Sequence, residues 1–229
     1  MNEIIQIKNL VKRFPVGKDF FTALHDINLN FSQGEFAGFT GPSGSGKTTL
    51  LNIIGSLDNP SEGSCTVMGQ DVALLSNREA AMLRNQHIGF IFQTYNLLPV
   101  YTVFENVEFA LLLQKMTASE RRKAVMEALE WVGLTDKMKS RPNMLSGGES
   151  QRVAIARSMV KKPEIVLADE PTANLDSKNS HHILQTMKKL NEELNVTFLF
   201  ATHDEKVMKY LRRIVSLEDG KVVSDRLTE

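Results

Sequence analysis

The chain has 229 residues, 42% apolar and 24% charged, which allows one large domain or a core with a subdomain. Lysine plus arginine equal aspartate plus glutamate at 27 each, so no global basic field exists to hold nucleic acid or an anionic membrane. Cys65 is the only cysteine, which excludes an intrachain disulfide and points to a reducing compartment, and no run approaches the ~20 apolar residues of a membrane span.

The first residues, from Met1 and Asn2 onward, lack a leader pattern. Residues 4–10 read as a strand, which Phe14-Pro15-Val16-Gly17 breaks. Residues 20–30 hold a second strand, with Leu24, Ile27 and Leu29 apolar. Gln33-Gly34 then turns the chain into residues 35–40, short and mostly apolar as a buried strand should be. Three strands so close together predict an antiparallel sheet.

The third strand runs into Gly41-Pro42-Ser43-Gly44-Ser45-Gly46-Lys47-Thr48-Thr49, which fits G-x-x-x-x-G-K-[ST] at every fixed position. Residues 49–54 follow as a helix that stops near Gly55. Strand, glycine loop and helix is the context this motif needs. Backbone N–H groups curl around an anion, and the helix N-terminus adds its positive end. Lys47 supplies a mobile charge for β- and γ-phosphates, and Thr48 a hydroxyl for Mg²⁺.

A turn at residues 61–64 leads to a strand in which Cys65 is a small buried residue. A short helix at 78–85 precedes a continuous apolar strand at 88–92, which ends at Gln93. From 102 to 132 the pattern is helical, broken near Met116, with capping-box spacing at Thr117 and Glu120 and an apolar face of Val125, Leu129 and Val132. Residues 109–113 read as buried helix. Arg121, Arg122 and Lys123 read as a solvated face, and the ten methionines as core filler. Buried strands are expected at 165–168 and 197–201, a helix at 177–194, and a hairpin around Asp219-Gly220. His181 and His182, adjacent on that helix, face different directions and form no metal pair. The alternation of strands and helices implies an α/β core with a mostly parallel sheet.

Asp169 and Glu170 end a buried strand, where ligands of open α/β sheets bind. Asp169 suits Mg²⁺, directly or through water, and Glu170 suits polarising an attacking water. In Leu145-Ser146-Gly147-Gly148-Glu149, Ser146 caps the helix that follows and the two glycines expose N–H groups at its positive end, a second anion cradle. Gln93 can touch Mg²⁺ or water from its strand end. His203, after a core strand, can reach a γ-phosphate.

These stretches, with Asn174-Leu175-Asp176, stand in the order of an ABC-type ATPase domain and resemble its Walker A, Q-loop, signature, Walker B, D-loop and switch histidine. The resemblance covers nearly the whole chain and extends through residues 151–157. It implies a P-loop NTPase (RecA-like) core and an antiparallel β subdomain, in residues 1–92 and 158–229. It also implies an inserted all-helical signature subdomain in residues 93–157. The implied ATP and Mg²⁺ site comprises Gly41, Pro42, Ser43, Gly44, Ser45, Gly46, Lys47, Thr48, Thr49, Gln93 and Asp169, with Ser146, Gly147, Gly148 and Glu149 reaching the ATP of a second copy in a head-to-tail homodimer. Thr48, Gln93 and Asp169 fall on the metal positions, and Lys47, Glu170 and His203 on the catalytic ones. The family's adenine-stacking aromatic is usually tyrosine. Here it falls on Phe14, with Phe20 and Phe21 close by.

Leu83-Arg84-Asn85-Gln86, Asn96-Leu97-Leu98-Pro99 and Glu105-Asn106-Val107 resemble the lipoprotein-releasing and macrolide-export (LolD/MacB-type) branch. That likeness implies a subunit at the cytoplasmic face of the inner membrane, held there by permease subunits rather than by a covalent anchor. It also implies that the permease docks near the apolar loop between Tyr95 and Tyr101. Lipoprotein release is the expected role. A macrolide-type or cell-division complex and a soluble ABC ATPase acting on ribosomes or DNA remain the alternatives. A GTPase would need Asn-Lys-x-Asp, which is missing. No basic field supports a nucleic-acid partner.

Overall fold

The computed structural model describes residues 3–228. Met1 and Asn2, on which the leaderless reading begins, and Glu229 lie outside them. In chain order the elements are β1 (Glu3–Val16), β2 (Asp19–Ser32), β3 (Phe36–Thr40), α1 (Lys47–Ile54), β4 (Glu62–Val67), β5 (Gln70–Asp71), α2 (Asn77–His87), β6 (Ile88–Ile91), α3 (Val103–Glu108), α4 (Ala118–Trp131), α5 (Gly147–Met159), β7 (Ile165–Asp169), α6 (Ser177–Leu194), β8 (Thr197–Thr202), α7 (Glu205–Met208), β9 (Arg213–Glu218) and β10 (Lys221–Leu227). Between β6 and β7 every regular element is helical, and α5 runs two residues past the expected boundary at 157.

Two sheets form, in the orders β2-β1-β4-β5 and β10-β9-β3-β8-β7-β6. The first is antiparallel. In the second, β9, β3, β8, β7 and β6 run parallel and β10 closes one edge antiparallel. The expected grouping of the first three strands is therefore corrected, because β4 takes the place beside β1 and β3 joins the parallel sheet. All five residues of β3 are buried. Such a strand needs cover on both faces, which a central position in a parallel sheet supplies.

Strand alternation divides two cores across that sheet. Phe36, Val166, Ala168, Phe198 and Phe200 face the helices α3 to α6, with the Phe36 and Phe200 rings 4.8 Å apart. Ala37, Phe39, Ile165, Leu167, Leu199 and Ala201 face α1 and the antiparallel sheet. Cys65 lies in this second core, fully buried, and desolvation pushes its thiol up to about 12.

Four further readings change. Pro15 does not break β1, which continues to a turn at Gly17-Lys18. Beyond Val11 the β4 register stops, so Pro15 lies on an edge where a missing N–H interrupts no ladder. Residues 109–113 are not a buried helix. After α3 a single tight turn (Phe109–Leu111) buries Leu111 and leaves Phe109, Leu112 and Leu113 exposed. Arg121 is not simply solvated, because its Nε donates to Glu108 at 2.9 Å and its guanidinium also reaches the Met116 carbonyl. Of the methionines, Met159 and Met187 fill the core while Met82 and Met144 are exposed. The capping box of Thr117 with Glu120 forms as expected.

Candidate functional site

Parallel register brings four strand ends into one row. Thr40 of β3 lies beside Thr202 of β8, Asp169 of β7 beside Ala201 of β8, and Ile91 of β6 beside Ala168 of β7. The glycine loop, Asp169-Glu170, His203 and Gln93 all leave the sheet at this edge, so residues spread over 160 positions converge because their strands run the same way.

The loop after β3 closes onto α1, whose N-cap is Gly46 at φ 99°. Only glycine fits here. A Cβ would meet Leu24 Cδ2 at 2.6 Å and the Ala23 carbonyl at 2.8 Å, and the left-handed backbone disfavours side chains. Lys47 is buried, and its Nζ lies 2.8 Å from both the Gly41 and Pro42 carbonyls, with Ser45 Oγ at 3.5 Å. Desolvation pushes the Lys47 ammonium below its usual range, while Glu170 and Asp169 pull it back. The turn at Gly220 supports the loop from outside, its N–H donating to the Ser45 carbonyl.

Thr48 Oγ1 donates to both oxygens of Asp169 at 3.1 Å. Burial pushes the Asp169 carboxyl up, the Thr48 hydroxyl pulls it down, and Glu170 adds to the rise. A hydroxyl and a desolvated carboxylate at a phosphate-binding loop form an all-oxygen donor set, which fits a hard divalent cation such as Mg²⁺. Gln93 is exposed at the end of β6, and its carbonyl accepts the Asn174 amide at 2.9 Å.

Glu170 has φ 46°, unusual for a side-chain-bearing residue, and its N–H donates to the Ala201 carbonyl at 2.9 Å. This kink turns the carboxylate toward the end of β8. Oε2 accepts the Thr202 hydroxyl at 3.1 Å, and Oε1 accepts the His203 N–H at 3.2 Å and faces His203 Nδ1 at 2.5 Å. An ionised carboxylate only accepts, so Nδ1 carries the proton and Nε2 is left free. Glu170 is thus oriented by three donors.

Ser146 caps α5. Its hydroxyl accepts the Glu149 N–H, and the Glu149 carboxylate accepts the Ser146 N–H at 2.8 Å. These bonds hold the Glu149 carboxyl below its usual range. Gly147 is exposed, but Gly148 is buried against α6, where a Cβ would meet Asn179 Oδ1 at 2.5 Å. Packing, not only an open N–H, therefore accounts for the second glycine. A Gly148→Val protein is expected to lose about 1–3 kcal/mol through overpacking. Its thermal midpoint falls by several degrees, and adding Asn179→Gly recovers most of the loss.

Phe14 and Phe21 are cross-strand partners on β1 and β2, and with Ala23, Gly44 and residues 46–49 they line a cleft of about 260 Å³. Phe20, 69% exposed, does not line it. Ser43 is exposed on the loop tip, and Thr49 is half-buried at the cleft wall. Among the described residues, no hydrogen bond joins Ser146–Glu149 to the loop at 41–49. The sequence reading missed Thr202, Phe21 as a cleft wall, the Gly220 prop and Arg157. The Arg157 guanidinium, on α5, donates to the Tyr95 and Asn96 carbonyls at 2.6 Å and holds two residues of positive φ. Only a strand-end threonine and a Asp-Gly turn signalled any of these.

A family model described as ABC transporter matches residues 24–173, more than half of the chain. The chain belongs to the ABC transporter family. It is an ABC ATPase, with ATP and Mg²⁺ as its ligands. Over 224 residues it is 43% identical to the macrolide export ATP-binding/permease protein MacB of Burkholderia pseudomallei, a match covering 98% of this chain and 34% of that one. The chain thus spans about a third of the length of the MacB relatives it matches. The ABC transporter ATP-binding protein MJ0796 of Methanocaldococcus jannaschii is 45% identical over 223 residues, covering 96% of this chain and 95% of that one. A dimeric structure of MJ0796 bound to ADP and Pi matches with TM-score 0.90 at 43% identity, covering 98% of this chain and 99% of that one. These likenesses agree with the LolD/MacB-type branch and with the P-loop core. No helix among the described residues is long and apolar enough to cross a membrane.

Proposed function

We propose that this ABC ATPase is the motor of a membrane export or release complex, and that two copies close head-to-tail over two ATP molecules. One observation carries the reading. The loop at 41–49, Asp169, Glu170 and His203 share one sheet edge, while the start of α5 at Ser146 and Gly147 is exposed and, among the described residues, makes no hydrogen bond to that loop. A second anion cradle without a phosphate of its own suits the γ-phosphate of another copy. Residues 1–92 with 158–229 then carry the nucleotide core and β subdomain, and residues 93–157 present the cradle.

In this reading Gly44, Ser45, Gly46 and Lys47 hold the phosphates, and Phe14 the base. Thr48 and Asp169, with Gln93 at the end of the neighbouring strand, would hold Mg²⁺, which would supply positive charge against the phosphates. Glu170 takes a proton from water as the water oxygen bonds to the γ-phosphorus and the bond to the β-phosphate oxygen breaks. His203 keeps Glu170 in place and offers Nε2 to the γ-phosphate. The test is ATP hydrolysis at a series of protein concentrations. Activity per chain is expected to rise steeply with concentration and then level off. A constant value down to the nanomolar range would overturn the shared site.

The cargo reading follows the branch. The likeness to MacB supports membrane-coupled export, with lipoprotein release or macrolide-type efflux as the two cargo classes. Part of the loop at 95–101 is already engaged within the chain, which favours its outer end as the permease contact. Leu97 packs against the helical core, and the Tyr95 hydroxyl lies near Gly147, so neither is a free docking side chain. Val100, 72% exposed, and Leu113, 85% exposed, lie on the open face beside Tyr101 and Phe109. Val100→Asp with Leu113→Asp should retain basal hydrolysis but lose co-purification with the permease. Retained co-purification would move the docking surface elsewhere.

A further inference from the structure

The base seat has a neighbour whose chemistry the reading above leaves unused. Lys12 stands two residues before Phe14 on β1 and so on the same face of the strand. Its Nζ lies over the Phe14 ring, 4.9 Å from the centroid. Lys12 is only 9% exposed, rare for a lysine. Asp58 Oδ1 accepts from its ammonium at 2.5 Å and the Asn59 carbonyl accepts at 2.8 Å. Asp58 also accepts the Asn59 N–H at 2.8 Å, and its own N–H donates to the Asn52 carbonyl within α1. A single side chain therefore links three things: the aromatic ring at the cleft wall, the strand that carries it, and the C-terminal end of the helix whose N-terminus holds the glycine loop.

We propose that Lys12 is a positioning residue for the nucleotide base, acting through Phe14. The ammonium fixes one face of the ring by cation–π attraction, and the Asp58–Asn59 anchor fixes the ammonium relative to α1. The ring plane is thereby set at a defined distance from the phosphate seat, ready to stack a flat purine without rearrangement. Preorganisation of this kind strengthens binding of the base and leaves the chemistry at the γ-phosphate unchanged. The proposal rests on Phe14 as the base seat.

The experiment compares Lys12→Met, Lys12→Arg and Phe14→Ala in ATP hydrolysis, with inorganic tripolyphosphate as a base-free competitive inhibitor. Lys12→Met is expected to raise KM for ATP about 3- to 10-fold, between the worth of an exposed and of a desolvated cation–π contact, with kcat within about twofold. Inhibition by tripolyphosphate should not change, because it has no base to stack. Lys12→Arg restores the wild-type KM. If Lys12→Met is recovered unfolded, Lys12→Gln carries the same expectations. An unchanged KM, or a KM that rises together with the tripolyphosphate inhibition constant, overturns the proposal by making Lys12 a structural ion pair only. Phe14→Ala separates the two levels. If it leaves KM unchanged, the base seat itself is misplaced. If it raises KM while Lys12→Met does not, the seat stands and the role of Lys12 falls.

Discussion

A Glu170→Gln protein hydrolyses ATP about 10²–10⁴-fold more slowly than the wild type, the usual worth of general-base help. The substitution keeps the shape of the site. Thr202 and His203 lie 3.1 and 2.5 Å from the two carboxylate oxygens, and an amide oxygen still accepts from His203 Nδ1 and from its N–H. What disappears is the negative charge that takes the proton from water. ATP binding survives, because Lys47, Thr48 and Asp169 are unchanged. In the proposed head-to-tail arrangement, the γ-phosphate then persists between the glycine loop of one copy and the start of α5 of the other. With ATP the variant elutes from size exclusion as a dimer, and with ADP as a monomer. Adding Ser146→Arg places a long side chain in the shared interface and restores the monomer. A variant that remains monomeric at saturating ATP and low salt would falsify the shared-site arrangement.

Lys47→Ala has the other large effect, and on a different step. Lys47 is buried, and the Gly41 and Pro42 carbonyls orient its ammonium into the loop. A charge-assisted contact to phosphate contributes about 1.5–3 kcal/mol, so its removal weakens ATP binding about 10- to 100-fold. Hydrolysis becomes undetectable, because the same charge also stabilises the transferring phosphoryl group. The fold persists, since both cores lie away from this side chain. Titration with a fluorescent ATP analogue, alongside a thermal melt, reads both halves of the expectation. Hydrolysis at the wild-type rate would remove the glycine loop from the reaction.

Much of this was legible in the residues. The helix over Ser177–Leu194 has the predicted bounds, and the glycine loop has its strand before it and helix after it. Both follow from local chemistry: apolar period, caps, and glycine where φ is positive. The hairpin at Asp219-Gly220 forms as its turn signal predicts, but its support of Ser45 was not legible, because a turn signal says nothing of what the turn will touch. Residues 109–113 were misread for a related reason. An apolar run looks the same whether it faces a core or an open surface.

What the sequence by itself determined is the set of parts: two glycine-bearing helix starts, a carboxylate pair, a strand-end histidine, and the strands and helices that carry them. Each is defined by neighbours in the chain, where spacing and residue type act directly on backbone and phosphate. The tertiary structure alone decided how the parts meet. The strand order β3-β8-β7 places Thr202 and His203 between the glycine loop and Glu170, although β8 comes after both in the chain. The same packing sets Asn179 against Gly148, Lys12 over Phe14, and Gly220 under the loop. Strand pairing and side-chain packing between distant residues are chosen by which faces the whole chain can bury at once, and that choice leaves no mark in any short stretch.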